Sequence, residues 1–228
     1  MSRIIFVAMM LAVAIAGCNR FPDLTLQVTA NLQPDDTNCS VSATQEEVVP
    51  RGQYDLAIVR DYVMTPRIES YLVDNTIEIQ APQSNISVTG FDVTIKLPDG
   101  VIPELSGGLP NPYTVTSTVV IPPSEAIGQV SSGAALARMI PANYHQALVD
   151  LSNASGFDSI VIDVRANGTT SGGFSNQSPP FSWPIDFCSG CLGTTCPPPA
   201  EVGDGVGCFP GQDNWQYCAE IVDPEATP

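Results

Sequence analysis

The sequence predicts a mainly β protein: an antiparallel β-sandwich, with an immunoglobulin-like arrangement as one candidate, one short helix and a disulfide-cross-linked, Cys-rich tail. Three observations predict it. Short apolar segments repeat with a period of two residues, the spacing of a half-buried strand. They are separated by turns rich in the 21 prolines and 18 glycines of the chain. Five of the seven cysteines lie close together, between residues 188 and 218.

The first half of the chain contains several segments with strand-like alternation. In chain order, the predicted strands lie at residues 24–30, 54–63, 68–73 and 77–80. The first is typical, because Leu24, Leu26 and Val28 alternate with polar neighbours. Residues 33–52 are polar and rich in turn-forming types, which predicts a long loop. Pro66 interrupts the alternation and predicts a bend between the second and third strands.

The next predicted strand changes its apolar phase in the middle. Ile86 and Val88 share one face, and Gly90 follows them. After the glycine the apolar positions are Phe91, Val93, Ile95 and Leu97. A phase change at a glycine indicates either a β-bulge or a strand that passes between two sheets. Residues 98–112 then form a predicted Pro/Gly-rich loop.

The second half adds further strands and the only predicted helix. Its strands are expected at residues 113–121, 134–140, 160–164 and 181–187, with a Gly/Ser/Asn-rich loop at 167–180. The helix should begin at Pro141 and end at Gly156. Its apolar stripe consists of Tyr144, Ala147, Leu148 and Leu151. Pro184 cannot donate to a strand ladder, so the last strand is predicted to lie at a sheet edge.

Residues 1–17 have the layout of a secretory signal peptide. Arg3 supplies a positive charge, and residues 4–16 carry no polar side chain. This run of 13 apolar residues is shorter than the roughly 20 residues that a membrane-spanning helix needs. We therefore expect export and cleavage, without a transmembrane anchor.

The end of that segment, Ile15-Ala16-Gly17-Cys18, resembles the bacterial lipobox. The resemblance implies that Cys18 becomes the acylated, palmitate-carrying first residue of the mature chain. Residues 18–23 would then link the lipid to the domain, and the lipid would be the contact with the membrane. Asn19 stands where lipoproteins of the inner membrane commonly carry Asp, which implies the outer membrane, on its periplasmic or cell-surface face.

Composition bounds the domains and the partners. The formal net charge of −16 would repel nucleic acid, so no nucleic-acid partner is expected. The hydrophobic fraction of 43% is enough for a packed core. We assign residues 24–187 to the β-sandwich and residues 188–228 to the tail, which has few apolar residues for a core of its own.

With Cys18 carrying lipid, six cysteines remain for disulfides. They are Cys39, Cys188, Cys191, Cys196, Cys208 and Cys218. An even number of cysteines in an exported chain predicts three disulfides, in any of 15 connectivities. Our hypothesis is that Cys39 links the early loop to the tail and that Cys208 pairs with Cys218.

Metal and redox alternatives exist for the same cysteines. Cys188-x-x-Cys191 could start a zinc site with the later cysteines, but only this first spacing is typical of structural zinc. A thioredoxin-like role of the motif would need a βαβ context, which the sequence does not predict. Calcium could bind at oxygen-rich turns, although none has the spacing of a known calcium loop. These turns are Asp35-Asp36, Asp99-Gly100 and Asp204-Gly205. No metal or cofactor is predicted.

Three segments resemble a group of uncharacterised lipoproteins predicted in myxobacteria and related deltaproteobacteria. The first is Tyr54-Asp-Leu-Ala-Ile-Val with Asp61-Tyr62. The second is Phe181-Ser-Trp-Pro-Ile-Asp-Phe-Cys-Ser-Gly-Cys-Leu192, and the third is Cys208-Phe-Pro-Gly-Gln-Asp213 with Cys218. The resemblance extends over most of the chain from about residue 39. The group has no assigned activity, so it implies localisation and architecture but no catalytic residue.

No catalytic residue is predicted from the sequence itself. His145 is the single histidine and lies beside the apolar helix stripe, so we expect it to be solvated. No Gly-x-Ser-x-Gly nucleophile elbow is present. Acidic pairs are too numerous for sequence to single one out as a glycosidase pair.

Aromatic residues offer one route to a glycan platform: Tyr62, Tyr71, Trp183 and Trp215. Trp183 alternates with apolar neighbours and is predicted to be core, which leaves Trp215 as the candidate contact residue. We expect a non-enzymatic lipoprotein that acts as a structural or interaction module toward a protein or glycan partner. The alternatives are a cation- or glycan-binding lipoprotein and, third, a hydrolase. The loops 33–52, 98–112 and 167–180 are the expected contact surfaces.

Overall fold

The computed structural model describes residues 25–35, 38–58, 60–73, 85–126 and 128–192, together with four short parts of the tail. These parts are residues 201–202, 208–209, 212–213 and 218–219. The predicted mainly β, mainly antiparallel fold with one α-helix is confirmed for this part of the chain. Within it, no helix combines the length and the apolar character needed to cross a bilayer.

Two sheets form the body of the sandwich. The elements in chain order are β1 (Leu26–Asn31), β2 (Gly52–Asp55), β3 (Tyr62–Met64), β4 (Pro66–Ser70), β5 (Ile86–Lys96), β6 (Tyr113–Ile121), β7 (Ser131–Ala134), β8 (Ala137–Ile140), α1 (His145–Ser155), β9 (Ser159–Thr170), β10 (Ser175–Gln177), β11 (Phe181–Cys188), β12 (Glu201–Val202) and β13 (Cys218–Ala219). The main sheet has the order β2-β11-β9-β5-β6, with β10 added to β9. The small sheet has the order β1-β4-β7, while β3 pairs with β8 and β12 with β13.

The core lies between these sheets and is built on β5 and β9. Both strands place alternate apolar side chains, fully removed from solvent, on one face. The small sheet contributes Leu26 and Ile68, and β3 and β8 contribute Met64 and Met139. Each such side chain stabilises the fold by about 1.5–3 kcal/mol through removal of apolar surface from water.

The phase change in β5 is a β-bulge. The register with both neighbouring strands shifts between Val88 and Gly90, and the strand continues in the same sheet. Gly90 is required there, because a Cβ at this position would collide with the carbonyl oxygen of Val115 on β6. The bulge rotates the following residues, so Phe91 faces the core where strict alternation would turn it outward.

Two predicted strands are each divided in the structure. Residues 54–63 form the end of β2 and the start of β3, because the Asp55 carboxylate accepts the Ala57 N–H at 2.9 Å and stabilises a turn. Residues 134–140 form the end of β7 and all of β8. They separate at Ala135, whose N–H donates to the Pro66 carbonyl at 3.1 Å instead of continuing the ladder.

The predicted loop at 167–180 was wrong over half of its length. β9 continues to Thr170, and β10 returns beside it as a hairpin. Polar strand residues such as these carry no apolar alternation, so sequence periodicity does not detect them. The edge position predicted for β11 was wrong only for its second half: among the described strands, residues 181–184 pair with β9 alone, whereas β2 pairs with β11 in parallel from Ile185 onward. Pro184 lies immediately before this pairing begins.

The predicted helix is confirmed, although α1 begins at His145 and only Ala147, Leu148 and Leu151 of the predicted apolar stripe lie on it. Ala147 and Leu148 are buried, and Gly156 ends the helix in a left-handed conformation with φ of 71°. Pro141 is extended and lies before a 3-10 turn at Ala142–Tyr144, so it is not the first helical residue as predicted.

Candidate functional site

A disulfide brings the tail back to the early loop. Cys39 and Cys208 are bonded across a separation of 169 residues, with a Cα–Cα distance of 5.3 Å. This is the link between the loop and the tail that the sequence suggested. The hypothesis that Cys208 pairs with Cys218 was wrong, since Cys208 is already occupied. Cys196 lies outside the described residues, and only the backbone of Cys218 is described.

Two residues of the tail then dock against the sandwich. The side-chain amide of Gln212, which is buried, binds the backbone of Val63 from both sides: its Oε1 accepts the Val63 N–H and its Nε2 donates to the Val63 carbonyl, each at 2.7 Å. The Gln212 backbone also forms a bridge with Tyr54. We call Gln53, Tyr62, Val63, Gln212 and Asp213 the tail-docking site.

Asp213 is the charged centre of the tail-docking site. Its Oδ1 accepts hydrogen bonds from the Gln53 N–H at 2.9 Å and from the Tyr62 hydroxyl at 2.8 Å. Its Oδ2 accepts one from the Gln212 amide at 3.0 Å. Burial raises the pKa of Asp213 to about 6, even though these donors favour the carboxylate.

Tyr62 and Trp183 connect this carboxylate to the core. The indole Nε1 of Trp183 donates to the Tyr62 hydroxyl at 3.1 Å, and that hydroxyl donates in turn to Asp213. Gly52 lies against both rings. A Cβ on Gly52 would collide with the Tyr62 hydroxyl and come within 2.8 Å of the Trp183 Nε1. The hydrogen bonds from Trp183 to Tyr62 and from Tyr62 to Asp213 therefore require a glycine at the start of β2.

A second polar cluster surrounds Asp55, the last residue of β2. Its buried carboxylate accepts the N–H groups of Ala57 at 2.9 Å, Gly190 at 2.7 Å and Leu192 at 3.0 Å. Burial acts to raise the pKa of Asp55, but the three donors outweigh it and hold the pKa below its ordinary value. Cys188 and Cys191 are bonded to each other beside this carboxylate.

This arrangement favours a structural role for the Cys188–Cys191 pair. The side chains of Asp55, Cys188 and Cys191 lie close enough together to share a metal ion, but both sulfurs form the disulfide. Reactive cysteines need N–H donors or a cation to stabilise the thiolate. Here the N–H groups of Gly190 and Leu192 point to Asp55, whose negative charge opposes a neighbouring thiolate.

The prediction that His145 is solvated was wrong. The side chain is only 8% exposed, and its Nε2 lies 2.9 Å from the carbonyl oxygen of Leu56. The Tyr54 ring packs against it edge-on. The first turn of α1 rests on the turn that follows β2, and a single-sequence helix pattern carries no signal for that contact.

A cavity of about 310 Å³ opens between α1 and the end of β11. It is lined by Leu56, Val149, Ser152, Asn153, Asp158, Phe187, Cys188 and Ser189. Its size is at the lower end of the range of small-molecule sites, and apolar and polar groups share its wall.

The predicted aromatic platform is not assembled. Trp183 is core, as predicted, and Tyr62 is fully buried, whereas Tyr71 is exposed on another strand end. Trp215 and Cys18 lie outside the described residues, as do Asp36 and the turn at Asp204-Gly205. Asp99 accepts the Val101 N–H at 3.0 Å, which is ordinary turn chemistry.

The tail-docking site was missed by pattern reasoning, although Tyr62, Gln212 and Asp213 of this site and the neighbouring Trp183 lie in the segments 54–62, 181–192 and 208–213. Tyr54, Asp55 and Tyr62 come from the first segment, Trp183 from the second, and Asp213 from the third. The structure brings these three segments together. These contacts link segments that are up to 151 residues apart, and no periodic pattern in the sequence signals them.

Comparison with known proteins adds little. No family model matches the chain, and no curated protein matches it. A solved structure of a protein from Archaeoglobus fulgidus is similar to 60% of this chain and 93% of its own length, with 12% sequence identity and a TM-score of 0.33.

Proposed function

We propose that this chain is an exported lipoprotein, held at the outer membrane by lipid on Cys18, that acts as an interaction module without catalysis. The observation that carries the proposal is a hydrogen-bonded loop with exposed apolar side chains, which we call the contact loop (residues 98–112). Val101 and Ile102 in this loop are each more than half exposed. Exposed apolar side chains on an ordered loop are typical of protein contact surfaces.

The contact loop is held by side-chain hydrogen bonds at several points. The Asn111 amide donates to the carbonyls of Ile95 at 2.9 Å and Pro103 at 3.2 Å, and its oxygen accepts the Ile95 N–H. The Tyr144 hydroxyl donates to the Pro110 carbonyl at 2.9 Å. A loop that is already ordered loses little conformational entropy when a partner binds.

The groups best suited to chemistry support a structural rather than a catalytic assignment. His145 is bonded to the Leu56 carbonyl, Asp55 holds three backbone N–H groups, and Asp213 anchors the tail. Among the described residues, every buried side-chain nitrogen and oxygen has a hydrogen-bond partner. Two disulfides in the described part suit an oxidising compartment outside the cytoplasm.

Two measurements on the full-length chain, expressed in a bacterium that processes lipoproteins, test the proposal. Labelled palmitate and intact mass should show a mature chain that begins at acylated Cys18, and Cys18→Ser should abolish the label. The amount of partner that the wild-type chain captures should fall by about tenfold or more when Val101 and Ile102 are both replaced by Ser. The matched control replaces Val48 and Leu136, which are similarly exposed elsewhere. Equal loss in both variants, or turnover of a substrate that one point mutation abolishes, would refute the interaction role.

The cavity beside α1 favours a second candidate, binding of a small polar ligand such as a glycan fragment. Asn153, Asp158 and Ser189 would supply the polar contacts. A panel of mono- and disaccharides should raise the melting temperature of the wild-type chain but not of an Asn153→Ala/Asp158→Ala variant. No shift with any sugar would discard this candidate and leave the contact loop proposal standing.

A further inference from the structure

The chain enters the sandwich at an end that carries several exposed apolar side chains. Thr25 is the first described residue, and its Oγ1 donates to the Asn176 side chain at 3.0 Å in the β9–β10 hairpin. Its carbonyl accepts the Tyr71 N–H at 3.0 Å. Ser131 of β7 pairs with Ser70 beside it. We call this the proximal end.

Four exposed apolar side chains from four different segments lie at the proximal end. Phe174, at the tip of the hairpin, is 73% exposed. Tyr71, Val120 and Val130 are between 42% and 56% exposed. Ile86, the first residue of β5, pairs with Thr170 beside the hairpin tip. The next residue, Ser87, pairs with Val120, which places Val120 at the same end.

The tip of the hairpin and the strand that follows it are also free of charge in a strongly acidic chain. Residues 166–185 contain no charged side chain, whereas the whole chain has a formal net charge of −16. Glu69 and Glu125 lie on the flanking segments, and Glu69 is engaged by Arg67 and by the Tyr71 hydroxyl. An uncharged apolar tip is the part of an acidic protein that can approach anionic headgroups at least electrostatic cost.

We propose that the proximal end rests on the lipid surface, with Phe174 and Tyr71 in the headgroup region. The proposal rests on the proposed acylation of Cys18. Thr25 is the seventh residue after Cys18, so the lipid attachment lies at most about 25 Å from the proximal end. Aromatic side chains are favoured at this depth of a bilayer.

The same geometry sets the direction of the contact loop. β5 runs from Ile86 at the proximal end to Lys96, and the contact loop follows Lys96. Eleven strand residues span about 33 Å. Contact of the proximal end with lipid therefore presents Val101 and Ile102 away from the membrane, where a partner can reach them.

Tryptophan probes in the full-length, lipidated chain test this orientation. Phe174→Trp and Val120→Trp place a probe at the proximal end, and Val101→Trp is the matched control at the other end of the sheet. Each variant is reconstituted into phosphatidylethanolamine vesicles with a minor fraction of phosphatidylglycerol, some of whose lipids carry bromine on the acyl chain. The wild-type chain supplies the background of Trp183 and Trp215.

We expect bromine to remove roughly half of the emission of the two proximal probes and to leave the Val101→Trp probe unchanged, since interfacial apolar groups lie about 5–10 Å into the boundary region. Flotation of the vesicles separates the two proposals. Chain that does not float would refute the lipid anchor. Chain that floats with an unquenched Trp at position 174 would overturn the orientation alone and leave the proximal end to a protein partner. Equal quenching of all three probes would also overturn it.

Discussion

The centre of the main sheet and the tail-docking site keep the same domain together by different means. β5 and β9 contribute many apolar side chains, and each contact is one of several similar ones. The tail-docking site uses a few directional bonds among Tyr62, Gln212 and Asp213 and a covalent link from Cys39. Loss of one apolar contact should weaken the whole domain, whereas loss of one docking bond should release a single segment.

The largest effect is expected from the core. Phe91→Ala removes a fully buried ring and should lower the free energy of unfolding by about 3–5 kcal/mol. Denaturant unfolding followed by circular dichroism would measure it as a shift of a single transition. Phe174→Ala removes the same side chain from an exposed position and should change stability by less than about 0.5 kcal/mol. Similar losses in both variants would contradict the placement of the core.

Removal of the long-range disulfide should act on the tail. Cys39→Ser is expected to weaken the attachment of the tail by about 2–4 kcal/mol, because the free tail regains the entropy that the cross-link removes. Limited proteolysis should then cut after residue 192 while the β5–β9 core stays protected from hydrogen exchange. A uniform loss of protection in the core would show that the two regions are one cooperative unit and would contradict a separate release of the tail.

The Tyr62 hydroxyl should matter more than its size suggests. Tyr62→Phe deletes the donor to Asp213 and leaves the Trp183 N–H buried without an acceptor, at a cost of about 1–3 kcal/mol. Thermal unfolding would report it. Tyr71→Phe removes an exposed hydroxyl and should leave the melting temperature unchanged. An unchanged melting temperature of the Tyr62→Phe variant would mean that the network does not contribute to docking.

The smallest expected effect is a pH dependence of docking. The pKa of Asp213 rises from 3.8 to about 6 in the docked tail, so its contribution is fully present below pH 3.8 and is lost as the pH rises through about 6. Proteolytic release of the tail should be up to about tenfold faster at pH 7.5 than at pH 5. Asp213→Asn should remove most of that difference. Faster release at the acidic pH would contradict the sign of the shift.

The same contrast explains what sequence reasoning could recover. Core strands follow apolar alternation, so β1, β5, β6, β9 and β11 were found, and even the bulge at Gly90 left a readable phase change. The break after Asp55 and the β9–β10 hairpin depend on side-chain hydrogen bonds that leave no periodic pattern. His145 and Asp213 were missed as hydrogen-bonded groups because their partners are distant in sequence: Leu56 lies 89 residues from the first, and Tyr62 lies 151 residues from the second.

The parallel pairing of β2 with β11 sets an order of assembly for a chain made from its N-terminus. The carboxylate of Asp55 on β2 accepts the N–H of Leu192, which is made 137 residues later, so this hydrogen bond cannot form before then. Tyr62 waits for Asp213, which is synthesised later still. Contacts this distant in sequence slow folding. The early segments therefore remain without their partners until the last third of the chain is available, and the domain closes only then.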